Sequence, residues 1–165
     1  MIGNDVVDLQ LAAVESNWRR KGYLHKIFSP EEQLLIGQAT DPDRMVWLLW
    51  SAKEAAYKII HRDTRQRIYA PLQYRVQLSG ADAGMVQYQD RQYPFRTVVT
   101  GSCLHTIAVA LADWWPQVVY CQQPGEELLK DEAGVPFIRD KAGGEVWPAS
   151  VSHHGHYRET VSLKT

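Results

Sequence analysis

Two hydrophobic rhythms divide the chain. Residues 2–9 read as a short strand with Gly3 and Asn4 inside it. Helical spacing follows at 11–20 and 30–39. The second of these starts is well marked: Ser29 is an N-cap, Pro30 suits the first turn, and Glu32 closes a capping box. Asp41-Pro42-Asp43 breaks the chain and opens the strongest helix, about 42–61. Beyond it the period shortens towards two. Residues 74–78, 85–89, 93–100 and 106–112 predict strands, with turns at 80–84 and near Asp90. Trp114-Trp115-Pro116 ends this meander. Residues 126–129 read as a helical turn, 134–138 as entry to a short strand, and 149–163 as a hairpin or strand interrupted at 153–155. No internal repeat or low-complexity linker is present. The expected fold is α+β, an antiparallel sheet packed against one long helix, in a single domain over 1–165.

Composition narrows the function. With 45% apolar and 22% charged residues the chain has the content of an ordinary globular protein. A net charge of −1 excludes a global nucleic-acid footprint. The start, MIGNDVVDL, is neither a secretory leader nor a membrane span, so the expectation is cytoplasmic. Cys103 and Cys121 lack metal-like spacing and read as free thiols in a reducing compartment.

On a wheel at about 100° per residue, Met45, Leu48, Leu49, Ala52, Ala55, Ala56 and Ile59 form a core stripe on the long helix. The opposite side holds Trp47, Trp50, Glu54, Tyr57, Lys58 and His61. Glu54 and Lys58 are neighbours one turn apart. They are either an intrahelical ion pair or the charged wall of a cleft shaped by aromatics. In the first strand, Asp5 and Asp8 face opposite sides, and an isolated Gly-Asn-Asp is more often a capping or turn element. Near the chain's far end, Ser150-Val151-Ser152-His153-His154-Gly155-His156 suits an anion better than zinc, because no acid or cysteine companion has zinc-like spacing. A polar turn is the alternative for His154 and His156.

Together these segments resemble the 4′-phosphopantetheinyl transferase superfamily. Gly3-Asn4-Asp5 matches its GxD, residues 50–58 (WSAKEAAYK) its (F/W)xxKEAxxK, and Ser150-Val151-Ser152-His153 its S-x-SH. IFSPEE at 27–32 and Gly134-Val135-Pro136 match weaker family elements. GxD comes first and S-x-SH last, the order of the small holo-acyl-carrier-protein synthase type. The larger two-repeat type reverses it and commonly shows D-x-E, where this chain has Val7. Residues 62–123 have no evident counterpart in the short enzymes and read as an inserted β-rich segment. The small type forms its sites between subunits of a trimer, so the insertion either covers such an interface or replaces it.

The resemblance implies transfer of the phosphopantetheine arm of coenzyme A to a serine of an apo acyl or peptidyl carrier protein. Asp5 and Glu54 would hold Mg2+, Glu54 or a metal-held water would take the serine proton, and Lys58 would meet the diphosphate. Ser152 and His153 would hold coenzyme A phosphates, with Lys53 and Lys26 near the nucleotide and Asp8 in a supporting place. Carrier proteins of this sort are acidic, and Trp18-Arg19-Arg20-Lys21 with Lys26 would offer them a basic strip. Fatty acid, polyketide and peptide synthesis all stay open. The rivals are a non-catalytic coenzyme A or nucleotide-binding module, a metal-dependent phosphohydrolase, and an interaction scaffold.

Overall fold

A helix begins where a side chain accepts its orphan amides, and three starts here have such an acceptor. Asp8 accepts from the amides of Gln10 and Leu11 and launches α1 (Leu9–Glu15). Ser29 and Glu32 close the expected capping box on α3 (Pro30–Gln38). Asp41 accepts from Arg44 N at 3.0 Å, ahead of Pro42, and starts α4 (Pro42–Thr64). Between them lies a short α2 (Tyr23–Ile27), which the hydrophobic spacing does not signal. The first helix is thus shorter than expected, and the long one runs three residues further, to a left-handed C-cap at Arg65 (φ 59°).

The computed structural model describes residues 1–66, 69–120 and 123–164. Cys121 lies outside them, and Cys103 is a buried free thiol. Two five-stranded antiparallel sheets make up the rest. The first joins β1 (Ile2–Asp8), β2 (Arg75–Leu78), β3 (Ala83–Tyr88), β4 (Arg91–Thr100) and β5 (Cys103–Val109) in the order β1-β5-β4-β3-β2. The second joins β6 (Val118–Tyr120), β7 (Glu126–Lys130), β8 (Pro136–Asp140), β9 (Val146–His154) and β10 (Tyr157–Leu163) in the order β6-β10-β9-β8-β7. The fold is α+β, as expected. Residues 126–129 form a strand and not a helical turn, because β8 pairs with them residue for residue from Glu126↔Asp140 to Lys130↔Pro136. The segment at 149–163 is a hairpin whose tight turn falls at Gly155-His156, with Gly155 at φ 57°; His153 and His154 stay in the strand, paired to Arg158 and Tyr157. Among the described residues no helix is long and apolar enough to cross a membrane.

α4 packs across the first sheet, and α1 and α3 pack on α4 in turn. The helix is therefore buried on more than its predicted stripe: Val46, Trp47, Lys53 and Ile60 are all inside, along with Ala52, Ala55 and Ala56. Contact with β1 is close. A Cβ added at Gly3 would sit 2.0 Å from the Ala55 carbonyl oxygen, so only glycine allows the strand to rest on the helix backbone there. Side chains alternate along a strand. Gly3, Asp5 and Val7 therefore share the helix-facing side of β1.

Candidate active site

β1 is held on one edge by the backbone of β5 and on the other by side chains of β9. The amides of Asn4, Val6 and Asp8 donate to Ser150 Oγ (3.0 Å), Ser152 Oγ (3.1 Å) and His154 Nδ1 (2.9 Å). Three polar side chains at strand period thus close the seam between the two sheets and satisfy backbone donors that would otherwise be orphaned. Their alternation was visible in the sequence, and hydroxyls recurring every second residue of a strand signal such a partner.

This seam fixes Asp5. The Ser152 hydroxyl accepts from Val6 N and donates to Asp5 Oδ1 at 3.0 Å. Lys58 Nζ stands 3.5 Å from the same oxygen and donates to the Asn4 carbonyl at 2.6 Å. Burial pushes the Asp5 carboxyl upward, and Lys58, Ser152 and Ser51 pull it partly back. Burial, then the charge of Asp5, lifts Glu54 from an ordinary 4.5 to about 7, against the opposing pull of Lys58 and Tyr69. The Tyr69 phenol, the neighbour of Glu54 that follows α4, is itself driven well above its usual range by burial and that carboxyl. Tyr69 stacks obliquely on Tyr57 and edge-on to Trp50, so the aromatics expected on this helix face do line one cluster.

Two cavities lie side by side here. The smaller, about 270 Å³, is lined by both acids, Asp5 and Glu54, with Tyr23, Trp47 and Trp50. The larger, about 600 Å³, is lined by Lys58, Arg62, Lys130 and Arg158, and by no acid among the described residues. His153 lines both. One side is therefore suited to a cation and the other to an anion. Two carboxyls whose proton affinity is raised by burial, and for Glu54 also by the charge of Asp5, suit a hard divalent cation, whose charge removes that penalty. No cluster of three or more His, Cys, Asp or Glu suited to a metal occurs among the described residues. Protein oxygens would then fill only part of an octahedral shell, as Mg2+ tolerates when phosphate and water supply the rest.

Asp5, Glu54, Lys58 and His153 thus come together. Lys53 does not. Its ammonium is fully buried and donates to Glu32 Oε2 (2.6 Å), the Ile27 carbonyl (2.8 Å) and the Pro71 carbonyl (3.0 Å). All its donors are taken, so it cannot meet a phosphate; the turn away from Glu54 carries it into the core, not to the rim of the site. Ser152 is also corrected: it is buried, lines neither cavity, and is occupied by Val6 and Asp5. Lys26 is exposed on α2 and lines neither cavity, while Tyr23 of the same helix lines the smaller one. Asp8 points to the other side, where it caps α1 and accepts from His156 N at 3.3 Å. In the basic strip, Trp18 is buried and Arg19 is neutralised by a two-pronged pair with Asp43 (2.9 and 2.8 Å). Arg20, Lys21 and Lys26 remain exposed.

Residues 1–112 match the family model described as the 4′-phosphopantetheinyl transferase superfamily. Among solved structures, the chain is similar to the holo-[acyl-carrier-protein] synthase of Neisseria meningitidis, with a TM-score of 0.54 at 17% identity. That similarity covers 67% of this chain and 96% of the other. No curated protein matches.

Proposed function

The chain belongs to the 4′-phosphopantetheinyl transferase superfamily, and from that premise we propose that it transfers the phosphopantetheine arm of coenzyme A to a carrier-protein serine with the help of Mg2+. The observation that carries this reading is that an acid-lined cavity lies beside a cation-lined one, with His153 lining both and Lys58 of the larger standing 3.5 Å from Asp5 of the smaller. A diphosphate ester bound to a metal needs that polarity.

In this reading the larger cavity takes the nucleotide end of coenzyme A, and its lysines and arginines balance the phosphates. Asp5 and Glu54 would hold Mg2+, which neutralises diphosphate oxygens when bound. The serine oxygen of the carrier protein attacks the β-phosphorus. The bond from that phosphorus to the bridging oxygen breaks, and adenosine 3′,5′-bisphosphate leaves. The serine proton passes to Glu54 or to a water beside it; burial and the charge of Asp5 raise the proton affinity of this carboxyl to about 7 before a cation binds. Lys58 balances the charge that builds on the transferring group, from a place already tied to β1. Ser152 keeps Asp5 in one orientation.

The partner is an acidic apo carrier protein, met by Arg20, Lys21 and Lys26. Residues 62–123 supply β2 to β6 and the Tyr69 ring, and in this reading they complete the domain around a site built within one chain. A cytoplasmic location fits a reaction on biosynthetic carrier proteins.

The test is mass spectrometry of an apo carrier protein incubated with this protein, coenzyme A and Mg2+. The carrier gains about 340 Da, the mass of one arm in such a phosphoryl transfer. No gain on carrier proteins from fatty acid, polyketide and peptide synthesis overturns the reading. Release of pantetheine phosphate without any acceptor would instead make the protein a phosphohydrolase.

A further inference from the structure

Asn4, the middle residue of Gly3-Asn4-Asp5, is fully buried, although its side chain points away from the acids. Its amide N–H is held by Ser150 Oγ. Its side-chain Nδ2 is held on the far face of β1, 3.1 Å from His105 Nε2 and 3.2 Å from the Glu159 carbonyl oxygen. Its backbone carbonyl faces the site and accepts from Lys58 Nζ at 2.6 Å. Asn4 is therefore a through-strand link. One end is anchored behind the sheet and the other holds the cation beside Asp5.

The chemistry of the anchor is determined. The Glu159 carbonyl can only accept, so Nδ2 and not Oδ1 faces it. Nδ2 can only donate, so His105 Nε2 must accept, and the ring is neutral with its proton on Nδ1. Burial and the charge of Lys58 keep it so, moving the imidazole down to about 4. Oδ1 is left buried without a hydrogen-bond partner among the described residues. An orphaned buried acceptor costs about 1–3 kcal/mol, which a small apolar residue here would avoid.

We propose that His105 is a positioning residue for Lys58, acting through Asn4. The proposal rests on the catalytic reading of Lys58 given above. His105 touches no substrate. It accepts from Nδ2, holds the Asn4 peptide in one orientation, and so sets where the carbonyl aims the ammonium.

The test is a double-mutant cycle on the whole chain, read by steady-state labelling of an apo carrier protein over a range of coenzyme A concentrations. His105→Leu removes the acceptor at similar bulk and lowers kcat about tenfold while the KM for coenzyme A is unchanged. His105→Gln, whose Oε1 can accept from Nδ2, recovers to within about twofold of the natural protein. In a Lys58→Met background His105→Leu changes kcat by less than about twofold, because the group it positions is gone. If His105→Leu does not fold, Asn4→Ala takes its place in the cycle, since it cuts the anchor and keeps the carbonyl. An unchanged kcat in His105→Leu, no recovery in His105→Gln, or an equal loss in both backgrounds overturns the proposal alone. A Lys58→Met protein with normal turnover overturns the role of Lys58 itself, and this proposal with it.

Discussion

Two lysines of α4 pair with acids from other elements, Lys53 with Glu32 of α3 and Lys58 with Asp5 of β1, and the pairs differ in one respect that separates a brace from the proposed site. Glu32 and Lys53 are both buried, and every strong group in the pair is used. The carboxylate accepts from Ser29 N, Val76 N and Lys53, while the ammonium has three acceptors. The ring of Phe28 lies 5.2 Å below the ammonium. Asp5 and Lys58 stand 3.5 Å apart with side chains 13% and 29% exposed, and their surroundings are half complete. One carboxylate oxygen is held by Ser152; the ammonium makes one short bond, to the Asn4 carbonyl at 2.6 Å, and two long contacts at 3.5 Å, to Asp5 and the Val151 carbonyl, and the pair borders two cavities. A saturated pair ties three helices and the start of β2 together. An unsaturated pair keeps capacity for a ligand.

The comparison can be broken most severely at Glu54. Glu54→Gln keeps the shape and removes the proposed base, so turnover should fall about a thousandfold while the fold survives. Circular dichroism and carrier-protein labelling separate the two effects, and near-normal labelling would remove Glu54 from the mechanism. At the brace the outcome should be the reverse. Lys53→Met strands the Glu32 carboxylate and should cost about 3–5 kcal/mol of stability. Denaturant unfolding measures that loss, and turnover per folded molecule should hold; a selective loss of turnover would make Lys53 part of the site after all.

Acidity probes the open pair next. Burial and Asp5 hold Glu54 at about 7, above its ordinary 4.5, so folding favours its protonated form. Its stabilising contribution is complete below the unfolded-state value and is lost as pH rises through 7. Turnover, if Glu54 acts as proposed, has the opposite sense, because it needs the ionised carboxyl and falls as the pH drops. Glu54→Gln should therefore melt at a higher temperature than the natural protein at pH 8 but not at pH 4, and a gain equal at both would contradict the shift. Mg2+ bound to the two carboxylates should raise the melting temperature of the natural protein through mass action. Asp5→Asn should not respond, and an equal rise in both would place the metal elsewhere. The smallest effect is expected at Ser152. Ser152→Ala should lower kcat about tenfold by freeing one Asp5 oxygen from its hydroxyl. A raised KM for coenzyme A with kcat intact would instead return Ser152 to phosphate binding.

Much of this was legible in the sequence because it was local. The capping box at Ser29 and Glu32, the long helix and the hairpins of the first sheet each depend on residues a few positions apart. Glu54 stood out as a carboxylate among aromatics on one helix face. Asp5 gained its role from the family pattern and its geometry from Gly3, whose missing side chain lets β1 reach the helix. The failures were long-range. A helical wheel places Lys53 correctly but does not say that α2, α3 and the 71–73 turn cover that side. Glu126-Glu127-Leu128-Leu129 fits a helix or a strand equally, and only the pairing with β8 decides. Ser152 was read as a phosphate ligand because its true partners, Val6 and Asp5, are almost the whole chain away.

That separation matters to how the protein comes into being. Each rung of the Ser150, Ser152 and His154 ladder joins residues 146 positions apart. During synthesis the first sheet and α4 can assemble before β9 exists, with Asp5 already on its strand but nothing to steady it. Contacts of such high order form late and slowly. A ribosome stalled after β5 would therefore carry a recognisable domain without a working centre, and competence would arrive only when β9 emerged and docked.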